Sequence, residues 1–358
     1  MGALIGNTSK VSEVSRMTIS VAHGVDNATL KDLVNPLTTV VLPVIYLVGF
    51  VVSTPCNLLC FILLCTCIKR KTSTIIFAIN LSLADLLYSV SLPLQVSYLF
   101  LGHDWRFGAV ACGITTVTFR CSMQCSILIT CAIAMERYLG VVHPIKSRHW
   151  CTPWRTGLVC LLIWGLALAV QTPMMRHDLT LRVEELNLTT CFDVIPRGTF
   201  GSRSLAYFYF GAVTLLFGAM PLVILVACYV AVTLELRRSP PTCNEGQSRR
   251  YAMVMCATAA VCFILCYLPN VVLQFLHLAY RASGISLYPY YKLTLGINSL
   301  ICSVDPFVYY LASQEFRNTF QKALRPFHCC SQCKRDTLYT PSEVVNFTNA
   351  PTCNSSKL

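Results

Sequence analysis

The sequence predicts an all-α membrane protein, a seven-transmembrane helix bundle with an amphipathic eighth helix, and three observations predict it. The composition is 55% hydrophobic and only 12% charged, with a mean hydropathy of +0.59, which excludes an ordinary soluble domain. Apolar runs at 37–68, 74–101, 109–142, 155–175, 203–236, 250–280 and 287–311 are each long enough to cross a hydrocarbon core of about 30 Å. Basic residues collect in alternate short loops, so the net charge of +12 reflects orientation in a membrane and not a nucleic-acid partner.

Residues 1–36 are polar and carry two N-glycosylation sequons, at Asn7 and Asn27. They lack the apolar core of a cleavable signal peptide, so the first span is expected to serve as its own insertion signal. Lys69, Arg70 and Lys71 follow the first span, Lys146, Arg148 and Arg155 the third, and Arg237, Arg238, Arg249 and Arg250 the fifth, whereas the loop at Arg106 has one basic residue. The positive-inside rule makes the basic loops cytoplasmic. The N-terminus is then extracellular, and the chain is a multi-pass plasma-membrane protein. It divides into that N-terminus, a transmembrane domain over 37–311, an amphipathic helix over 312–328 and a disordered cytoplasmic tail over 329–358.

The third run opens at Cys112 and closes on Glu136, Arg137 and Tyr138. From Cys112 to Arg137 a helix climbs roughly 37 Å, which puts the charged pair at one membrane face, as a functional site or a stop-transfer cluster. Of the 21 cysteines, topology leaves only Cys112 and Cys191 outside the membrane. They are either two free thiols or an oxidised pair that pins the loop before the fifth span over the bundle. Asn187 in that loop is a third glycan site, whereas the sequons at Asn80 (intramembrane) and Asn346 (cytoplasmic) are expected to stay bare. Asn57, Asp85, Ser126 and Asp305 place oxygen ligands in the bundle interior, either as a cage for a small cation or as a protonated carboxyl among hydrogen-bonded neighbours. Pro221, Pro269 and Pro306 each remove a backbone donor inside a span and predict kinks.

Asn57, the Leu83-Ala84-Asp85 motif, Cys112 with Cys191, Glu136-Arg137-Tyr138, Trp164, Pro221 with Tyr229, Phe263-x-x-Cys266-x-x-Pro269 and Asp305-Pro306-x-x-Tyr309 follow one another along nearly the whole chain. In this order they resemble the class A, rhodopsin-like G-protein-coupled receptors. The resemblance implies that Arg137 is freed on activation and meets the G protein with Tyr229 and Tyr309. It also implies that Asp85, Ser126 and Asp305, beside Asn57, hold an allosteric sodium ion. Two departures matter. Tyr267 stands where such receptors usually have Trp, and Arg249 and Arg250 stand where some place a carboxylate that holds the arginine of the third span. Glu136 must then supply that restraint, and appreciable basal signalling is expected.

Asp305, Cys191-Phe192-Asp193 and the stretch from Tyr290 to Leu295 resemble the purinergic branch of the class. Nucleotide receptors of that branch carry His and a basic residue three apart on the outer sixth span, where this chain has Val271 and Gln274, and a second external disulfide for which it has no cysteines. Arg120 lies about 12 Å along the third span below Cys112, so its charge needs a cavity. Lys292, Arg176, His177 and Arg281 lie nearer the rim, and Gln124, Tyr267 and Gln274 complete the expected ligand site. Such cations suit an anionic head group, although Lys292 and Arg176 equally suit interfacial snorkelling. Phe119, Met123, Tyr207, Phe208, Tyr209 and Phe275 supply an apolar wall. The expected agonist is therefore anionic or amphiphilic, a lipid with an acidic or peptide-like head in preference to a nucleotide.

Phe316, Phe320 and Leu324 recur at intervals of four and predict a helix lying on the membrane surface. Cys329, Cys330 and Cys333 follow it and suit palmitoylation better than zinc, because one CxxC lacks a second pair. The Ser- and Thr-containing tail, with sites such as Ser342, suits receptor kinases and arrestin. No HExxH, Ser-His pair or hydrolytic carboxylate pair argues for an enzyme, and no cofactor other than sodium is implied. The expected partner is a heterotrimeric G protein, with the resemblance suggesting the twelve/thirteen class. A protease-activated type of peptide receptor is the first alternative. A seven-helix ion or proton transporter, which would need a continuous polar path, is the second.

Overall fold

The computed structural model describes residues 27–194, 199–238, 246–283 and 285–312. Its helices are α1 (Asn27–Leu33), α2 (Leu42–Thr66), α3 (Ser73–Phe100), α4 (Gly108–Val142), α5 (Pro144–Trp150), α6 (Pro153–Val170) and the single turn α7 (Thr172–Met175). Then come α8 (Arg203–Thr214), α9 (Met220–Arg238), α10 (Gly246–Ala282), α11 (Tyr288–Ser299) and α12 (Ile301–Ala312), with strands β1 (Thr180–Val183) and β2 (Leu188–Cys191) between α7 and α8. The first four spans are α2, α3, α4 and α6. The fifth is α8 with α9, the sixth α10, and the seventh α11 with α12. Six of these rods are long and apolar enough to cross a membrane. The seventh corrects the expectation of one continuous helix, because it breaks at Leu300 into two pieces of twelve residues.

Local chemistry sets the ends. Thr72 accepts a hydrogen bond from Ile75 N and starts α3, and Ser202 does the same for α8 through Leu205 N. Proline occupies the first turn of α2, α5, α6 and α11, where its missing N–H leaves no bond unmade. Lys71 ends the first span from outside it: its Nζ donates to the carbonyls of Cys65 (3.0 Å) and Ile68 (2.7 Å), groups a helix C-terminus leaves unpaired.

Internal prolines explain the irregularities. Pro221 has no N–H for the carbonyl of Phe217, and Leu215–Ala219 widen into a π turn that joins α8 to α9. The Tyr267 hydroxyl, from the sixth span, donates to that vacated carbonyl. Pro306 similarly vacates the carbonyl of Cys302, and Asn57 Nδ2 of the first span donates to it at 2.7 Å. Each proline thus creates an acceptor that a side chain of another span fills. A second π turn, Leu37–Val41, precedes Pro43. Pro55 and Pro93 also lie inside helices.

Lipid tails are as apolar as leucine, so the spans adhere by close packing and interhelical hydrogen bonds, each worth about 0.6–2 kcal/mol. The bonds run from Trp164 Nε1 to Asn80 Oδ1 (3.3 Å), from Thr74 Oγ1 to Glu136 Oε1 (2.9 Å), from Ser126 Oγ to Asp85 Oδ1 (3.0 Å) and from Tyr209 OH to Val170 O (2.9 Å). Packing is closest where Gly296 meets the first span: an added Cβ would lie 2.6 Å from Leu42 Cδ1. One buried cluster joins the first four spans through Leu64, Leu81, Ile129 and Cys160, and another joins the third, fifth, sixth and seventh through Ile127, Leu225, Phe263 and Ile301.

Candidate functional site

Cys112 and Cys191 are bonded, with their Cα atoms 5.8 Å apart, so the oxidised alternative holds. The bond fastens a two-stranded hairpin over the end of the bundle, in antiparallel register Thr180↔Cys191 to Val183↔Leu188. Asn187 lies exposed in the tight turn of that hairpin with φ 48°. The turn between α3 and α4 holds the hairpin from the side, as Trp105 N donates to Thr189 O (2.7 Å) and Thr189 N to Asp104 Oδ1 (3.2 Å). Arg106 bonds the same carboxyl group and holds it below the usual carboxylate range.

Just past the disulfide, Phe192 has φ 68°, a conformation that a bulky residue rarely adopts and that needs external support. The kink sends Phe192 and Asp193 into the bundle. There Asp193 is almost fully enclosed and accepts from Lys292 Nζ (2.7 Å), pairs with His103 Nδ1 (2.8 Å) and accepts from Tyr98 OH (2.7 Å). Burial alone would push its carboxyl up, but Lys292 and His103 outweigh that and hold it well below the ordinary range. One carboxylate therefore joins the hairpin to the second span, the following loop and the seventh span. Lys292, which the sequence offered as a free cation for an anionic head, is neutralised by this partner.

Beneath the hairpin lies a cavity of about 910 Å³ including its open mouth. Arg120, Gln124, Tyr267, Gln274 and Lys292 all line it. Arg176 does not: it is exposed past α7, as is His177. Of the expected apolar wall, Phe119 and Met123 line the cavity, but Tyr207, Phe208 (73% exposed), Tyr209 and Phe275 do not, and Tyr46, Phe217 and Leu295 take that part. Arg281 is engaged elsewhere, donating to Thr29 Oγ1 of α1 (2.5 Å).

Arg120 is 9% exposed, and among the described residues no carboxylate lies within ion-pair distance of it. Its Nε donates to Gln171 Oε1 (3.2 Å), and Gln171 Nε2 donates in turn to Gln124 Oε1 (2.8 Å). Its guanidinium sits over the rings of Phe192 (5.2 Å) and Phe210 (5.9 Å). A planar cation stacked on aromatic faces, aligned through Gln171 and facing the hydroxyl of Tyr209, keeps further donors for a ligand, the geometry in which Arg grips a carboxylate or phosphate. Sequence reasoning missed Gln171 and Phe192. A glutamine near the end of a span and a phenylalanine beside a cysteine carry no signal until the fold brings them to Arg120.

Tyr267 closes the cavity floor and packs its ring, tilted by 53°, against Phe263, with centroids 4.8 Å apart. Below it Asp85 and Asp305 lie within reach of each other and of Cys302, and Asn57 Oδ1 is buried without a hydrogen-bond partner. Two facing carboxyls, an orphaned amide oxygen and the hydroxyl of Ser126 fit a small cation. At the far end, Glu136 and Arg137 interact electrostatically without a close ion pair between them. Glu136 bonds Thr74 of the second span, and among the described residues no ion pair joins it to Arg137, whose Nε has no partner. Neighbouring positions on a helix point in different directions, so adjacency in sequence does not make a pair. Tyr138 pairs with His143 (3.4 Å), Tyr229 and Phe263 are buried, Pro269 is exposed and Pro306 is enclosed. Tyr309 falls in α12, but its side chain lies outside the described residues, as do the side chains of Arg249 and Arg250. Asn7, the amphipathic helix and Cys329, Cys330 and Cys333 lie outside them altogether.

A bundle of seven spans, a hairpin bolted to the third of them, a cavity beneath and an arginine at the opposite end define a rhodopsin-type receptor, and the chain matches the seven-transmembrane receptor (rhodopsin family) over residues 56–309. It belongs to that family and is a multi-pass plasma-membrane, G-protein-coupled receptor. It is similar to the human S-geranylgeranyl-glutathione receptor P2RY8, with 39% identity over 92% of this chain and 90% of the relative. The purinoceptor 8 of Gallus gallus is 34% identical over 84% of each chain. Human proteinase-activated receptor 1 is 33% identical over 89% of this chain and 74% of its own.

Proposed function

We propose that this receptor answers an extracellular amphiphile with a carboxylate-bearing, peptide-like head, such as an isoprenylated peptide. The observation that carries the reading is Arg120, an enclosed guanidinium with no carboxylate partner among the described residues, in a cavity lined by both polar and apolar side chains. The head meets Arg120, and the tail lies along Phe119, Met123, Phe217 and Leu295. Similarity to a receptor whose name specifies a geranylgeranyl-glutathione conjugate supports this chemistry over a nucleotide. The hairpin end is extracellular, with glycans on Asn7, Asn27 and Asn187. The Arg137 end meets the G protein, of the twelve/thirteen class, and the tail recruits receptor kinases and arrestin and is palmitoylated at Cys329, Cys330 and Cys333. The chain acts by promoting exchange on its Gα partner and not by catalysis of its own. The test is nucleotide exchange on each Gα class with purified receptor, comparing an isoprenylated glutathione, its head alone and adenine nucleotides. A response to nucleotides with none to the conjugate would falsify the reading.

Similarity to proteinase-activated receptor 1, together with α1 tied near the mouth through Thr29 and Arg281, favours a peptide agonist as the second reading. Peptides of the chain's own N-terminus, added to the same assay, decide it.

Signalling is a shift between two packings of the sixth span, swinging about Pro269. The hydrogen bond from Tyr267 to Phe217 ties that span to the fifth. Tyr267→Phe keeps the ring and removes the bond, worth about 1 kcal/mol, so ligand-free exchange is expected to rise about fivefold. Unchanged exchange at equal receptor density counts against the tie. We further propose that Asp85, Asp305, Ser126 and Asn57 hold sodium, whose charge would stabilise the facing carboxylates and with them the resting packing. Raising sodium at constant ionic strength should weaken agonist binding in the parent and leave Asp85→Asn unaffected. An equal response of both to sodium removes the cation from this site.

A further inference from the structure

The inner end of the first span carries a feature that receptor function does not use. Among the described free cysteines, only Cys65 and Cys67 are exposed. They stand on either side of the helix end at Thr66, just before Lys69, Arg70 and Lys71. We propose that they are a site of S-acylation by a long-chain fatty acid, separate from the cysteines of the tail. The placement rests on the proposed orientation, which makes this end cytoplasmic.

Two independent observations carry the inference. The first is depth. Lys71 Nζ lies 3.0 Å from the carbonyl of Cys65 itself and 2.7 Å from that of Ile68. An ammonium seeks the head-group level of a bilayer, so the bond places Cys65 at the boundary between hydrocarbon and water. An acyl-transferring enzyme working from the cytoplasm reaches a thiol there and not one buried in the bundle. The second is the surface next to the thiol. Val44, Val48, Val51, Leu58 and Ile62 are exposed at helical spacing along one side of α2, and Cys65 continues the series. A chain attached at Cys65 therefore has a continuous apolar track leading from its point of attachment into the bilayer core. Each buried methylene contributes about 0.8 kcal/mol of membrane affinity, and the adjacent basic triplet adds attraction to anionic lipids. The reaction is a thioester exchange. The cysteine sulfur attacks the carbonyl carbon of an acyl-coenzyme A, the bond to the coenzyme A sulfur breaks, and the thiol proton ends on the released coenzyme A thiol.

The experiment expresses the full chain in cells fed an alkyne-tagged palmitate and reads the label that hydroxylamine removes. In a background carrying Cys329→Ser, Cys330→Ser, Cys333→Ser and Cys353→Ser, label is expected to persist, and to fall to background when Cys65→Ser and Cys67→Ser are added. Loss of label in the tail background alone, or its retention after the two further changes, overturns the proposal. If the multiple variant fails to reach the surface, mass spectrometry of the parent receptor decides: an acylated peptide containing residues 65–69 supports the site, and free thiols there overturn it. A glycosidase-sensitive shift from Asn27 and Asn187 reports orientation on the same samples. No label with the shift present overturns acylation alone, whereas no label without the shift overturns the orientation on which it rests.

Discussion

Arg120→Ala is expected to raise the agonist concentration needed for half-maximal G-protein exchange by about a hundredfold or more, with receptor density unchanged. Removing one member of an enclosed, hydrogen-bonded charge pair costs roughly 2–5 kcal/mol, and each 1.4 kcal/mol is a factor of ten. The loss should fall on the ligand more than on the fold. In the free receptor Arg120 neutralises no carboxylate among the described residues, and Gln171 keeps its bond to Gln124 when the guanidinium is gone. Arg120→Lys should rescue little, because an ammonium neither stacks between Phe192 and Phe210 nor offers two parallel donors. An uncharged isoprenyl analogue should bind parent and variant alike. A parent-like response of Arg120→Ala to the acidic agonist would remove the anionic head group from this cavity.

Much of this arrangement was legible in the chain, and what was not has a physical explanation. Spans are visible because a bilayer admits only helices whose length matches its thickness, so composition and run length locate them. Arg120 was visible for a related reason, since a charge that far inside a span requires a polar cavity. Contacts between distant segments were not visible. Lys292 and Asp193 are 99 residues apart, and neither position announces a buried pair until the disulfide and the left-handed turn at Phe192 bring the loop down onto the seventh span. Glu136 shows how a sequence neighbour tells only part of the story: it feels the charge of Arg137, but its hydrogen-bond partner in the fold is Thr74, 62 residues away. The proline-vacated carbonyls lie between these cases. Pro221 and Pro306 identify which acceptors are freed, but only the packed bundle shows that Tyr267 and Asn57 fill them.

Asp193→Ala is the second large effect expected, and it should appear as loss of folded receptor before any loss of signalling. The substitution strands Lys292 and the buried His103 without their shared acceptor and frees the hydroxyl of Tyr98. Breaking an enclosed ion pair from one side costs about 3–5 kcal/mol, enough to lower the melting temperature of detergent-solubilised receptor by roughly 10 °C. Adding Lys292→Met to Asp193→Asn should recover part of that loss, because the pair is then replaced by groups that need no counter-charge, whereas Lys292→Met alone should be nearly as damaging as Asp193→Ala. Asp104→Ala is the comparison on a carboxylate whose ion-pair partner Arg106 is solvent-exposed, and it should cost only about 1 kcal/mol, the worth of its hydrogen bond from Thr189 N. The same network fixes a pH dependence. Because the folded carboxyl of Asp193 is held well below its unfolded value of about 3.9, its contribution is complete above that value and is lost only as pH falls through the folded one. Melting temperature should therefore show no loss attributable to Asp193 between pH 7 and pH 5. An acid-induced drop in that window that disappears in Asp193→Asn, or an Asp193→Ala variant as stable as Asp104→Ala, would show that this carboxylate does not hold the hairpin to the seventh span.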